Sequence, residues 1–301
     1  MVQHYVFPES IEACLKGLEK FSGKGRIIAG GTDLVLAIQR GELRPAALLD
    51  ITRIAELEGI VEEKGEVRLG ARVTHAACAS SPLIQKSATC LAEACVSVGS
   101  PQIQCVATVA GNVVNAQPAA DGAIALTALG ARARIVSLHG EREQGVETLY
   151  EGPGRSRVDS SKELLVALRF PSTRGGEGTA FLRVAPRNAM GLPVLNGAVR
   201  ISLRGDRIAD VRIALGPVAD RPFRPQGAET VLRGSCWDHS DVLEEAARVA
   251  SQEATPRDSV LRGSAAYRRE RVRMLMGELL KTAIGRARDN RKKSSSRHGR
   301  T

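Results

Sequence analysis

Aromatic residues supply only 3% of this 301-residue chain, with a single Trp, so a core must be assembled from Ala, Val, Leu and Ile. No apolar run approaches the ~20 residues that a membrane-spanning helix needs. Met1–Ser10 carries Pro8 and Glu9 and lacks the basic-then-apolar layout of an export signal, so a cytoplasmic location is expected. The six cysteines (Cys14, Cys78, Cys90, Cys95, Cys105, Cys236) contain no C-x-x-C, and the 90–95–105 spacing fits neither zinc nor ferredoxin ligation. They read as reduced thiols packed as small apolar groups. His4, His75, His139, His239 and His298 are scattered without ligand spacing, which favours surface or core roles over metal. No Ser/His/Asp or Cys/His set can be placed by spacing. Neither G-x-G-x-x-G nor G-x-x-x-x-G-K-[ST] occurs, which excludes the Rossmann and P-loop readings. No catalytic residue and no metal ligand is therefore expected in this chain.

Charge is abundant but localised. The net charge of +10 looks like a nucleic-acid signal until it is placed: Arg286–Arg300 alone holds seven basic residues against Asp289. With Ser294-Ser295-Ser296 and no apolar residue after Ala287, the segment 285–301 is expected to be a disordered, solvated basic tail. Weak adhesion to polyanions is expected of it, and no specific nucleic-acid partner. Elsewhere the composition, 43% hydrophobic and 25% charged, is that of an ordinary globular protein.

Two stretches stand out. In Thr108-Val109-Ala110-Gly111-Asn112, small residues pass into a polar loop through Asn115, Gln117 and Pro118 to Asp121, ahead of an apolar helical run over 122–131. Gly111 lets backbone approach a ligand closely, the amides offer uncharged donors and acceptors, and Asp121 reads as an N-cap. In Arg26-Ile27-Ile28-Ala29-Gly30-Gly31-Thr32-Asp33-Leu34, a β-branched strand runs into paired glycines and then a helix. Backbone N–H groups at such a turn converge on an anion.

Ala29-Gly30-Gly31-Thr32-Asp33-Leu34 together with Thr108-Val109-Ala110-Gly111-Asn112 and Asp121 resembles the FAD-binding (medium) subunit of the molybdenum hydroxylase and xanthine dehydrogenase family, including the carbon-monoxide dehydrogenase medium chain. The likeness runs in order over residues 1–283. It implies an α+β chain: a two-subdomain α/β FAD-binding module of the vanillyl-alcohol-oxidase-like type, then an α+β C-terminal domain. It implies FAD as cofactor, with Ala29–Asp33 and Thr108–Asn112 holding the pyrophosphate from two subdomains. Leu34 belongs to the first cofactor-binding stretch, Asp121 contacts the ribityl or nearby hydroxyls, and Leu165 lies in the strand that passes the isoalloxazine ring. It further implies a hetero-oligomer with a molybdopterin-binding large subunit and a [2Fe–2S] small subunit, in which electrons reach an external acceptor by way of this chain. The substrate pocket would lie on another polypeptide.

Three departures are visible. Ala110 stands where most relatives have the first Gly of a pair; if that turn demands positive φ an Ala there costs on the order of 1 kcal/mol, and it is expected to be tolerated, with weakened FAD retention as the risk. Gln104-Cys105 replaces the family's Arg-Asn. Some relatives carry an extra iron–sulfur cluster in an inserted loop in this region, and no insert is present here. Two rival readings stay open: a cofactor-free assembly or regulatory protein that keeps the fold, with Ala110 as its mark, and a stand-alone FAD oxidoreductase.

The expected organisation is a first subdomain over 1–60, a second over 61–172, a C-terminal α+β domain over 178–284, and the tail. Helices are expected over 10–20, 34–40, 76–80, 82–98 and 122–130, and later over 239–254 and 267–284. Strands are expected at 26–29, 47–51, 66–69, 133–138, 163–170, 179–183, 194–203 and 208–215, the last two joined by a hairpin at Arg204-Gly205-Asp206. Pro186–Pro193 resembles the family's loop between the first strands of the last domain, and Met190 and Trp237 read as packing residues.

Overall fold

The computed structural model describes residues 2–187 and 191–298. The chain opens with β1 (His4–Val6), α1 (Ile11–Lys20), β2 (Gly25–Ile28), α2 (Leu34–Gln39) and β3 (Ala47–Asp50). These strands form a parallel sheet in the order β1-β3-β2, with His4 and Gly25 both paired to Ala47. Ser10 caps α1 by accepting from the Ala13 N–H at 3.1 Å, and Cys14, Leu15 and Leu18 turn one face of the helix into the core.

Next come β4 (Ile60–Glu63), β5 (Glu66–Gly70), α3 (His75–Ser80), α4 (Pro82–Ser87), α5 (Thr89–Val96), α6 (Pro101–Val106), α7 (Val109–Val114) and α8 (Asp121–Leu129). They are followed by β6 (Arg132–Ser137), β7 (Gly140–Gly145), β8 (Tyr150–Gly152), β9 (Arg155–Ser156) and β10 (Glu163–Pro171). The five-stranded sheet has the order β4-β5-β10-β6-β7, and every pairing in it is antiparallel. The α/β label therefore suits the first half alone. Tight hairpins are the reason: Lys64 and Gly65 both take positive φ between β4 and β5, the backbone that closes a two-residue turn.

The expected helix over 82–98 is broken at Ala88, whose φ of −159° is extended. Ser100 and Thr108 start two further helices, α6 and α7, where a loop was expected; their hydroxyls accept from the Ile103 and Gly111 N–H groups. Asp121 is not the cap of α8: Ala120 occupies that position, and Asp121 is the first helical residue. All nine residues of α8 are buried, as a helix apolar on every side must be.

The last part contains β11 (Glu177–Val184), β12 (Leu195–Arg204), β13 (Arg207–Gly216), α9 (Gln226–Leu232), α10 (Ser240–Glu253) and α11 (Ala265–His298). Its three strands form an antiparallel sheet in sequence order, and Gly205 at φ +66° makes the expected turn. One side of the sheet receives α11 through Val272, Leu275, Leu279 and Ala283. α8 packs against β12 and β13, so it is shared between the two halves of the molecule.

The tail expected to be disordered from 285 is instead helical through His298, and 299–301 lie outside the described residues. The helix continues because its near end is tied down. Arg286 donates to both carboxylate oxygens of Glu93 and to the Thr179 carbonyl; Asn290 donates to the Glu177 carbonyl at 2.9 Å. The Arg288 guanidinium sits 4.3 Å from the centre of the Trp237 ring. Ala287 is fully buried.

Two glycines test this packing. A methyl on Gly178 would stand 2.1 Å from the Ala283 carbonyl oxygen and 2.6 Å from the Ala287 nitrogen, both backbone atoms that can yield only if α11 moves. Gly178→Ala is expected to destabilise the chain by about 1–3 kcal/mol. Gly277, inside α11, has nothing within 4 Å of such a methyl, and Gly277→Ala is expected to stabilise by about 0.4–1 kcal/mol. Urea melts of both variants check the pair; equal effects would rule out tight seating of α11 on β11.

Candidate functional site

The first glycine turn meets the end of α6, just ahead of the second turn. A methyl on Gly30 would lie 2.0 Å from the carbonyl oxygen of Val106, so only a residue without Cβ permits this approach. Gly31 follows at φ +68°. The second turn is held by a short ladder: His75 N–H donates to the Ala107 carbonyl at 3.0 Å, Val109 N–H to the Val73 carbonyl at 3.0 Å, and Thr74 bridges Thr108.

Between these turns and the last sheet lies a cavity of about 1050 Å³. Ala29, Gly30, Gly31, Thr32, Asp33, Leu34, Thr108, Ala110, Gly111, Asn112, Asp121 and Leu165 all line it. Val109 does not; it is fully buried in the core behind the turn. Ala110 is in the right-handed first turn of α7, and the positive-φ residues other than glycine are Ser22, Lys64 and Ala116 among those described. The turn therefore does not demand positive φ at Ala110, and the methyl is tolerated there as expected, the position being helical.

Burial sets the electrostatics. Asp33 is raised above the usual carboxylate value by desolvation, opposed by a hydrogen bond with Asn115. Asp121 is raised to about 6, burial outweighing the Arg183 guanidinium and the Asn196 amide. Arg183 Nη1 lies 3.4 Å from Asp121 Oδ2, and Asn196 Nδ2 donates to Asp121 Oδ1 at 2.5 Å and to the Ala119 carbonyl at 3.0 Å. Arg183 also donates to the Ser97 and Gly191 carbonyls.

Arg183 and Asn196 come from β11 and β12, and no local pattern marked them. His75, read as core or surface, also lines the cavity, as do Leu192, Pro193 and Arg262 from beyond β11. Arg262 Nε donates to the Pro193 carbonyl at 3.1 Å. Of the loop 186–193, residues 188–190, including Met190, lie outside the described residues. Trp237 packs on the last core. Gln104 donates to the Val96 and Val98 carbonyls, ending α5, and Cys105 is exposed. Among the described residues no group of three or more His, Cys, Asp or Glu side chains is arranged to hold a metal.

The donor set fits a dinucleotide. A cavity at the upper end of ligand-pocket volumes, bare glycine backbone in its lining, and three buried unpartnered polar atoms on lining residues, His75 Nε2, Asn112 Oδ1 and Arg183 Nε, all call for a large polar ligand. Fold and cavity together define a flavoprotein subunit of the molybdopterin dehydrogenases. Residues 1–173 match the family of the FAD binding domain in molybdopterin dehydrogenase, and residues 180–283 match the carbon-monoxide dehydrogenase flavoprotein C-terminal domain. The chain belongs to this family, as an FAD-binding medium subunit of the molybdenum hydroxylase and xanthine dehydrogenase type. It is 32% identical over 272 residues to the glyceraldehyde dehydrogenase medium chain of Sulfolobus acidocaldarius, covering 90% of this chain and 94% of that one. It is 29% identical to a putative xanthine dehydrogenase FAD-binding subunit of Escherichia coli K12, covering 88% and 90%. A solved carbon-monoxide dehydrogenase from Hydrogenophaga pseudoflava superposes with a TM-score of 0.89 at 26% identity, covering 95% and 98%.

Two outcomes follow from this geometry. Gly30→Ala is expected to part the two turns and lower FAD affinity at least about tenfold, read by flavin fluorescence quenching; unchanged affinity would show that the turns need not touch. The second concerns pH. Asp121 has a folded value of about 6, above its usual 3.8, so the fold favours the protonated acid. It therefore costs stability at neutral pH, and the cost is relieved as pH falls through about 6 towards 3.8. Relative to Asp121→Asn, the wild-type chain should gain stability between pH 7 and about 4.5. A flat difference across that window in urea melts would remove burial as the governing effect.

Proposed function

We propose that the cavity holds FAD with its pyrophosphate between the Ala29–Leu34 turn and the Thr108–Asn112 turn. The backbone N–H groups of the first glycine turn suit phosphate oxygens, and Gly30 and Gly31 keep that backbone bare; in the second, the Val109, Gly111 and Asn112 N–H groups are already bonded to Val73 and Thr108, so Gly111 serves close approach. Asp121 would receive hydroxyl groups of the ribityl chain, and Leu165 would lie against the isoalloxazine ring. Val109 supports the second turn from behind. When bound, the flavin supplies redox chemistry that no side chain here offers. The chain's own part is to bind it, orient it between two subdomains, 1–60 and 61–172, and close it from one side with residues of the C-terminal domain, 178–284. This arrangement is of the vanillyl-alcohol-oxidase-like type.

The protein's place is in a hetero-oligomer. A molybdopterin-binding large subunit would oxidise the substrate, a [2Fe–2S] small subunit would carry the electrons, and this chain would connect them to an external acceptor. Relatives named as medium chains and FAD-binding subunits support that reading, because the chain covers 94% of one and 90% of another. The absence of a membrane-length apolar helix among the described residues agrees with a cytoplasmic complex. Helical backbone at Ala110 removes the one mark that favoured a cofactor-free scaffold.

The observation that carries this reading is the convergence of two glycine turns on one cavity. Purified chain should show a flavin spectrum and release about one FAD per chain on denaturation. Co-expression with the neighbouring subunits should yield a complex containing iron, sulfide and molybdenum. Colourless protein that refuses added FAD would sink the electron-transfer function; flavin without partners would favour the stand-alone oxidoreductase.

A further inference from the structure

His75 has no exposed surface, yet its Nε2 has no hydrogen-bond partner, and the same is true of Asn112 Oδ1 among the described residues. Both side chains line the cavity. They meet over the bare Cα of Gly122, where a methyl would stand 2.9 Å from Asn112 Oδ1 and 3.5 Å from His75 Cε1. Buried polar atoms are almost always paired, so two orphans at one cavity wall point to a ligand group.

The chemistry of that group follows from the ring's other side. His75 Nδ1 lies 3.4 Å from Cys95 Sγ. The Cys95 thiol is hydrogen-bonded with Cys78 and, buried beside it, is held well above its usual value, so it stays protonated. With Nδ1–H donating to that sulfur, Nε2 carries a lone pair. Burial keeps the ring neutral, with its value pushed down to about 4. Asn112 Oδ1 is an acceptor as well, and the Asp121 carboxylate stands next to Gly122 on the same wall. Beside the Asp121 carboxylate, lone pairs on Nε2 and Oδ1 suit O–H donors better than phosphate oxygens, which accept too. A polyol has such donors.

We propose that His75, through Nε2, is a flavin-binding residue that accepts a hydrogen bond from a ribityl hydroxyl, with Asn112 Oδ1 accepting from a neighbouring one. The assignment rests on the FAD reading and goes beyond it by naming a residue and the hydroxyl chemistry it selects. Thr74 capping α3 and the His75 N–H bond to Ala107 hold the ring in place, so the acceptor is preorganised rather than recruited.

The test uses the full chain stripped of flavin and titrated, by fluorescence quenching, with FAD and with 2′-, 3′- and 4′-deoxyribityl FAD. His75→Phe keeps a ring without the acceptor and should weaken FAD about tenfold or more. His75→Gln, which places a polar atom near the position of Nε2, should stay within about threefold of wild type. At least one deoxy analogue should lose about tenfold on the wild-type chain, and His75→Phe should bind that analogue and FAD alike. His75→Phe binding FAD as tightly as wild type would overturn the proposal. So would wild type failing to distinguish any analogue from FAD, a result that decides the matter even if the variant does not fold. A wild-type chain that takes up no FAD would instead overturn the flavin reading itself.

Discussion

The close approach of Gly30 to the Val106 carbonyl is the constraint on which the site depends. A side chain at position 30 would hold the first turn away from the end of α6, and the first sheet would no longer share a cavity with α7. The approach also explains why α6 ends where it does. Its last residue, Val106, presents its carbonyl to Gly30, and the next three residues run into the ladder with Val73–His75. Backbone is thereby placed directly against backbone at the edge of the cavity, with no side chain intervening at position 30.

A second dependence runs through α8. Because this helix is apolar on all sides it must be covered on all sides, and the last sheet covers what the first two cannot. That coverage brings Asn196 and Arg183 to the N-terminal end of α8, where Asp121 needs them. A carboxylate buried there alone would be costly, and the amide and guanidinium offset part of the penalty without removing it. The C-terminal domain is thus a wall of the cavity, and Arg183 ties that wall to the end of α5 through the Ser97 carbonyl.

The same domain is fastened at a distance by Arg286 and Glu93, whose pairing also engages the Phe181 N–H. This explains the behaviour of the basic C-terminal segment. Composition favours a solvated coil there, yet Arg286, Arg288 and Asn290 each find a partner on other elements, so the helix is extended by tertiary contacts.

Much of this was legible in the residues. Hydrophobic spacing located most helices and strands, and Gly30-Gly31 and Gly111 marked the two turns. Family resemblance joined the two turns into one function, and twelve of the thirteen expected site residues line one cavity, Val109 lying behind it. What stayed hidden has a common cause. Local pattern reports propensity and one-sided burial, so Thr108–Asn112 read as a loop although its Thr caps a helix, and the need for positive φ at Ala110 stayed open until the position proved helical. It cannot report partners distant in the chain. His75 was indistinguishable from any core histidine until the ladder to Ala107 set it against Asn112, and Arg183 and Asn196 joined the site only when α8 was covered by β11 and β12. The sequence by itself determined most of the elements, the two glycine motifs and the FAD cofactor of the family; the tertiary structure alone decided which side chains stand unpaired in the cavity wall, because that depends on contacts between residues far apart in the chain.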